Sequence, residues 1–211
     1  PKEGSRDTKS ILLTSCESKG NIILPFGGSM KGNELLLALN ELDHFLIEND
    51  LEFEILICGA FAIQLHGIPI STHTLDVDTL IQIRQTEILE AIAKIGKKLG
   101  LGSRWLNDQA STVPIPEGTL DRATPFNNWQ AIEASIVNRI DLIKMKASAF
   151  SIRRDQTTKD WEDLVLLEPT ASEIGLAIDF LKATNAPPSG ARGGDLSNFR
   201  ETIGDLKKLS S

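Results

Sequence analysis

Apolar positions first recur at helical spacing at Leu35, Leu36, Leu39, Leu42 and Leu46, with Glu34, Glu41, Asp43 and Glu48 turned outward. Asn33 stands where a cap for that helix is needed. The period then shortens. Glu52-Phe53-Glu54-Ile55 alternates and runs on into Leu56-Ile57-Cys58, which predicts a strand entering a core. Gly59-Ala60 ends it. Ala62, Ile63 and Leu65 predict a short helix, broken by Gly67-Ile68-Pro69. A second strand is expected over 75–83, and an amphipathic helix over 86–99 with Ile88, Leu89, Ile92 and Ile95 inside. Residues 100–128 are loop-rich, carrying Pro114, Pro116, Gly118 and Pro125. Alternation at Ile132, Ala134 and Ile136 predicts a strand over 129–137, after which Asn138 caps a helix over 139–150. A short helix is expected over 159–167. Thr170-Ala171-Ser172-Glu173 is a capping box for the next, and Leu196, Phe199, Ile203, Leu206 and Leu209 mark the last.

This order predicts an α/β or α+β fold, a mixed sheet with packed helices and a helical C-terminal part. An irregular arm is expected over 1–32, a core over 33–168, and C-terminal helices over 169–211. A linker is expected at 185–195, where Pro187-Pro188, Gly190 and Gly193-Gly194 offer no apolar face. Pro25-Phe26-Gly27-Gly28-Ser29 has turn composition and lacks the ending of a phosphate-binding P-loop.

Composition narrows the function classes. The 211 residues are 41% apolar and 24% charged, the proportions of a globular protein. With 22 Lys+Arg against 29 Asp+Glu the net charge is −7, which argues against holding nucleic acid by surface charge alone but leaves room for a local basic groove. Tyr is absent, so base-stacking platforms are poorly supplied. No apolar run approaches the ~20 residues that span a bilayer. Residues 1–20 hold no basic-then-apolar leader, so the expectation is a cytoplasmic protein with no membrane partner. Cys16 and Cys58 are too few for a disulfide framework, and His44, His66 and His73 show no metal spacing.

Asp76 and Asp78 are two apart on a predicted strand and therefore share a face. Adjacent like charges are unfavourable unless a cation separates them. A hard divalent ion takes carboxylate oxygens and leaves room for phosphate. The spacing alone is not specific, since Glu41/Asp43, Glu48/Asp50 and Glu52/Glu54 read as solvated faces. Context separates Asp76/Asp78: Leu75, Val77, Leu80, Ile81 and Ile83 make their strand a buried one. Upstream, Gly59-Ala60 sits at a strand-to-helix turn, where small residues let backbone N–H groups approach a phosphate. Together these features suit a nucleoside-triphosphate site. A tight turn beside an exposed acidic strand end accounts for them as well, and the residues alone leave both readings open.

Cys58-Gly-Ala-Phe-Ala-Ile-Gln-Leu-His-Gly67, followed by Thr74-Leu-Asp-Val-Asp78, resembles the opening of the nucleotidyltransferase superfamily. The nearer likeness is to its AbiEii-type branch, which includes toxins of toxin–antitoxin pairs. Trp105-Leu-Asn-Asp108, Asp141-Leu-Ile-Lys-Met-Lys-Ala-Ser-Ala149 and Lys159-Asp-Trp-Glu-Asp-Leu164 resemble later signatures of that branch, in order, so that the likeness covers roughly 35–168. The resemblance implies that Asp76 and Asp78 hold Mg²⁺ or Mn²⁺, and that Gly59, Ala60, Thr74, Asp160 and Asp163 contact nucleotide. It places a catalytic lysine at Lys146; Asp160 and Asp163 would equally orient that lysine. Glu133, the only acid over 129–137, stands for the superfamily's third carboxylate. Ala60 replaces a usual Gly or Ser, and Thr72 stands near a place where arginine is common. The implied activity moves a nucleoside monophosphate from a nucleoside triphosphate to a hydroxyl of RNA, tRNA included, or of protein. The implied setting is a toxin–antitoxin or phage-defence pair with an antitoxin partner. The rival expectation is an inactive nucleotide- or partner-binding protein on the same fold.

Overall fold

Among the described residues seven helices and five short strands form in the order helix, strand, short helix, strand, helix, three more strands, then helices only. The computed structural model describes residues 30–68, 74–153, 158–184 and 195–209. Residues 1–29 of the expected arm, with the Gly27-Gly28 turn and Cys16, together with Thr72, His73 and all of the 185–195 linker except Asp195, lie outside these residues, while 30–32 of that arm are helical in α1. The elements are α1 (Met30–Glu48), β1 (Phe53–Cys58), α2 (Gly59–Leu65), β2 (Val77–Thr79), α3 (Thr86–Leu99) and β3 (Leu106–Asn107). After a 3-10 turn, Gln109–Thr112, come β4 (Thr124–Pro125), β5 (Ile132–Ile136), α4 (Arg139–Arg153), α5 (Lys159–Leu166), α6 (Ala171–Thr184) and α7 (Asp195–Leu209). The fold is thus a mixed sheet with packed helices and a helical C-terminal part, as the periodicity predicts.

The strands order as β3-β2-β1-β5-β4. β1 runs parallel to β5 and antiparallel to β2; β2 is parallel to β3, and β4 antiparallel to β5. Central β1 is buried without a break from Ile55 to Cys58, so both faces of the sheet are covered there. α1 packs on α3, while α4 gathers α5, α6 and α7. Leu39 and Leu42 of α1, Ile92 of α3, Leu142 of α4, Ile178 of α6 and Leu206 of α7 belong to one continuous core. The C-terminal helices are therefore part of the same packed body as the sheet.

Several details differ from the sequence reading. Asn33 lies inside α1, which starts at Met30, and does not cap it. Leu89 is 47% exposed; the buried stripe of α3 is Ile88, Ala91, Ile92 and Ile95. The loop-rich stretch 100–128 supplies both edge strands. The strand expected over 75–83 shrinks to Val77–Thr79 because a side chain ends it. The Thr79 hydroxyl accepts from Leu56 N at 3.1 Å, where a ladder carbonyl would stand, and from Ile81 N at 3.2 Å.

Asp43 is the clearest correction, since it is buried and not turned outward. Its carboxylate accepts from the backbone N–H groups of Gln130, Ala131 and Ile132, at 2.7 to 3.2 Å. It thereby satisfies the donors that open β5. Asp43→Ala strands those buried donors and is expected to cost at least about 2 kcal/mol in urea unfolding. An unchanged midpoint would contradict this role.

The capping box forms as predicted. Glu173 N donates to the Thr170 hydroxyl at 3.3 Å, and Thr170 N donates back to the Glu173 carboxylate at 2.8 Å. Arg139 of α4 adds an ion pair to Glu173 at 2.9 Å, tying α6 to α4. Partial burial pushes the Glu173 carboxyl up, but hydrogen bonds from Arg139 and Thr170 outweigh it and hold it below the usual range. A depressed folded pKa gives stability that is present above the unfolded value of about 4.3 and lost as pH falls through the folded value. Glu173→Gln is therefore expected to flatten the dependence of Tm on pH below about pH 4.

Candidate functional site

At the C-terminal end of β1 the sheet opens into a cavity of about 310 Å³. Asp76 and Asp78 line it from one side, and Lys146, Arg153 and Lys159 from α4 and α5 line it from another. Only Asp78 lies on β2; Asp76 precedes the strand, so shared strand geometry does not bring the pair together. Thr74 holds Asp76. Its hydroxyl donates to the Asp76 carbonyl at 3.1 Å and approaches the Asp76 carboxylate at 3.4 Å. Thr74 is itself buried and holds Asp76; it does not line the cavity.

Gly59 is required at the floor for two independent reasons. Its φ of +68° lies in the left-handed region that side chains disfavour. A Cβ added there would also run into the Asp78 carboxylate, with Asp78 Cγ only 3.2 Å away. The backbone of Gly59 thus lies directly against Asp78, and only a glycine leaves space for that carboxylate. Ala60 behaves differently: its side chain is buried in the fold and contributes none of the cavity wall.

Burial and the neighbouring charge of Asp76 push the Asp78 carboxyl up, while Lys146, a hydrogen bond with Asn107, and Lys159 draw it back in part. Register explains Asn107, which pairs with Asp78 across β3 and β2. Sequence reasoning noticed Asn107 inside Trp105-Leu-Asn-Asp108 but gave it no role. The rest of that segment is scaffold. The Trp105 indole donates to the Ile92 carbonyl at 2.8 Å, and Asp108 accepts from Ile83 N at 3.2 Å. Trp129 bonds Asn40 at 2.7 Å and Trp161 packs on Phe150, so all three tryptophans are anchors. Cys58 donates its thiol to the Asp78 carbonyl at 3.5 Å. Burial first, and then Asp78, push that thiol far up, so it stays protonated.

Lys146 reaches the cavity from α4 with its ammonium held from behind. Asp163 stands 2.5 Å from it and Asp160 3.2 Å. Burial pushes this lysine down, but Asp163 and Asp160 outweigh it and keep it charged above the ordinary lysine range. Asp163 is fully buried, lies outside the cavity lining and pairs with Lys146. Asp160 lines the cavity and also pairs with Arg153 at 2.8 Å.

Glu133 is not brought to the site. It is exposed and pairs in register with Glu54, whereas Asp78 pairs with Cys58. That offset is four residues, or about 13 Å along β1 at the usual strand rise. Among the described residues no group of three or more His, Cys, Asp or Glu is arranged to hold a metal ion. His66 donates to the Val137 carbonyl at 2.8 Å and takes a packing role. Among the described residues no helix is long and apolar enough to cross a membrane. Comparison of the chain with known protein families, with curated proteins and with solved structures finds no match.

Proposed function

We propose that the cavity binds a nucleoside triphosphate with a divalent cation and transfers its nucleoside monophosphate to an acceptor hydroxyl. The observation that carries this reading is Gly59 against Asp78. A glycine backbone with no room for a Cβ abuts a carboxylate that burial and Asp76 make costly to ionise alone. A cation beside Asp76 and Asp78 removes that cost. Two carboxylates form a hard oxygen donor set that suits Mg²⁺ or Mn²⁺ with phosphate completing the shell. When bound, such an ion would polarise phosphoryl oxygens and favour ionisation of an acceptor hydroxyl.

The chain's own groups do the rest. Asp76, fixed by Thr74, and Asp78, fixed by Asn107, hold the metal side. Gly59, lacking a Cβ, lets the Asp78 carboxylate sit directly against the β1–α2 turn. α2 has only seven residues, so its dipole adds little here. Lys146, kept charged by Asp163 and Asp160, opposes the negative charge that grows on the phosphates. The acceptor oxygen bonds the α-phosphorus, the α–β bridging bond breaks, pyrophosphate leaves and the hydroxyl proton passes to water. RNA, tRNA included, or a protein is the acceptor in this reading, and a toxin with an antitoxin partner is its biological setting.

A second reading has a specific observation behind it. Glu133 lies far from the Asp76/Asp78 pair, which leaves a two-carboxylate site and favours a protein that binds nucleotide without turnover. Incubation with each α-labelled nucleoside triphosphate, total RNA and Mg²⁺ separates the two. Label in RNA or in protein supports transfer. Mg²⁺-dependent binding with no label transferred supports the binding protein.

A further inference from the structure

We infer that the nucleobase lodges between the 3-10 turn after β3 and the α4 wall, held by apolar contact, with Gln109 at its edge. This rests on the nucleotide reading of the same cavity. Besides its charged groups the lining carries apolar residues from two elements: Ala110 and Val113 at the turn, and Leu142, Met145 and Ala149 on α4, alongside Lys146 and Arg153. Leu142, Met145 and Ala149 are spaced by three and then four residues, which puts them on one helix face. Triphosphate and cation have no use for such a surface; a flat, weakly hydrated heterocycle does. Among the described residues no aromatic side chain lines the cavity, so contact is with aliphatic groups and Met145, whose flexible thioether adapts to a ring. Gln109 lines the same cavity next to Ala110, and its amide carries both donors and an acceptor, the chemistry needed to read a base edge.

The turn is well placed for this task. It begins two residues after Asn107, so the residue that bonds Asp78 and the residues that flank the base belong to one short segment. Gln109 N donates to the Asn107 side chain at 3.1 Å, and the Ser111 hydroxyl to the Asp108 carbonyl at 2.7 Å, which fixes the turn from within. Ala110 and Val113 are only partly buried and both line the cavity, so larger side chains there narrow it.

The test uses the full chain and two probes, the nucleoside triphosphates and inorganic tripolyphosphate, each with Mg²⁺. Wild type is expected to bind its preferred nucleoside triphosphate at least about tenfold more tightly than tripolyphosphate, the gain from burying one base. Ala110→Trp is expected to remove that gain and leave tripolyphosphate binding and melting temperature unchanged. Gln109→Ala is expected to narrow the spread of affinities among the four nucleoside triphosphates. Val113→Phe, on the same wall, repeats the first measurement if Ala110→Trp does not fold. Equal affinity of wild type for both probes, or full nucleoside triphosphate binding by folded Ala110→Trp, overturns the base position and leaves the phosphate and metal site standing. Failure of wild type to bind either probe overturns the nucleotide reading itself, and this inference with it.

Discussion

Asp163→Ala is expected to lose about 3–5 kcal/mol of stability, the usual cost of removing one partner from a buried ion pair. Asp163 has no exposed surface and stands 2.5 Å from the Lys146 ammonium, which is itself only 11% exposed. Removing the carboxylate leaves Lys146 with Asp160, which Arg153 already shares. The ammonium then keeps its desolvation cost and loses its closest counter-charge. For a chain of this size the change corresponds to a drop in Tm of roughly 6–20 °C. The double variant Asp163→Ala with Lys146→Met is expected to recover much of the loss, because apolar groups replace a buried pair at little cost. A single variant that melts like wild type would show that the pair is solvated. A double variant no better than the single would show that packing, not charge, sets the cost.

Asp78→Asn is expected to behave in the opposite way, with activity lost and stability kept. Asn retains the shape and one acceptor oxygen for Asn107. It removes a charge that burial and Asp76 make unfavourable in the metal-free protein. The sign follows from linkage. A carboxyl raised in the folded state gives stability that is fully present below its unfolded pKa and declines as pH rises through the folded value. At neutral pH that penalty is in force, so the variant is expected to melt at or above the wild-type temperature. The same charge is a metal ligand in the proposed site. Mg²⁺-dependent nucleotide binding is expected to weaken, and transfer of labelled nucleotide to fall at least ~100-fold, a usual cost of losing one electrostatic stabiliser. Wild-type transfer by both Asp78→Asn and Asp76→Asn would remove the carboxylate pair from the mechanism.

Local pattern carried most of the fold. Period 3.6 located α3 at Thr86–Leu99, and period 2 located β5 with Ile132, Ala134 and Ile136 inward. Asn138 caps α4 through Asp141 N at 2.8 Å, a signal contained within four residues. What pattern could not carry was partnership across the chain. Asp43 reads as a solvated acid on α1, yet it serves N–H groups at 130–132, nearly ninety positions on. β2 looks long because Leu80, Ile81 and Ile83 continue an apolar run; its end is set by Thr79 bonding Leu56 on β1. For Glu133, alternation gives a face but not a level on the sheet. Only the β1–β5 register shows that it lies beside Glu54 and away from Asp78. Asn107 escaped for the same reason, because its function needs the β2–β3 pairing. Asp76, Asp78, Gly59 and Lys146 were legible because each joins an unusual residue type to an apolar context.

The central claim is that Asp76, Asp78 and Gly59 form a metal-dependent nucleotide site, and calorimetric titration of the wild-type chain tests it most directly. Each of the four nucleoside triphosphates is titrated in Mg²⁺ and again in excess chelator. The account predicts saturable binding of at least one nucleotide in Mg²⁺, weakened at least ~10-fold in chelator, since the contact to the carboxylates runs through the ion. No binding of any of the four at millimolar concentration, or equal binding with and without Mg²⁺, would contradict it.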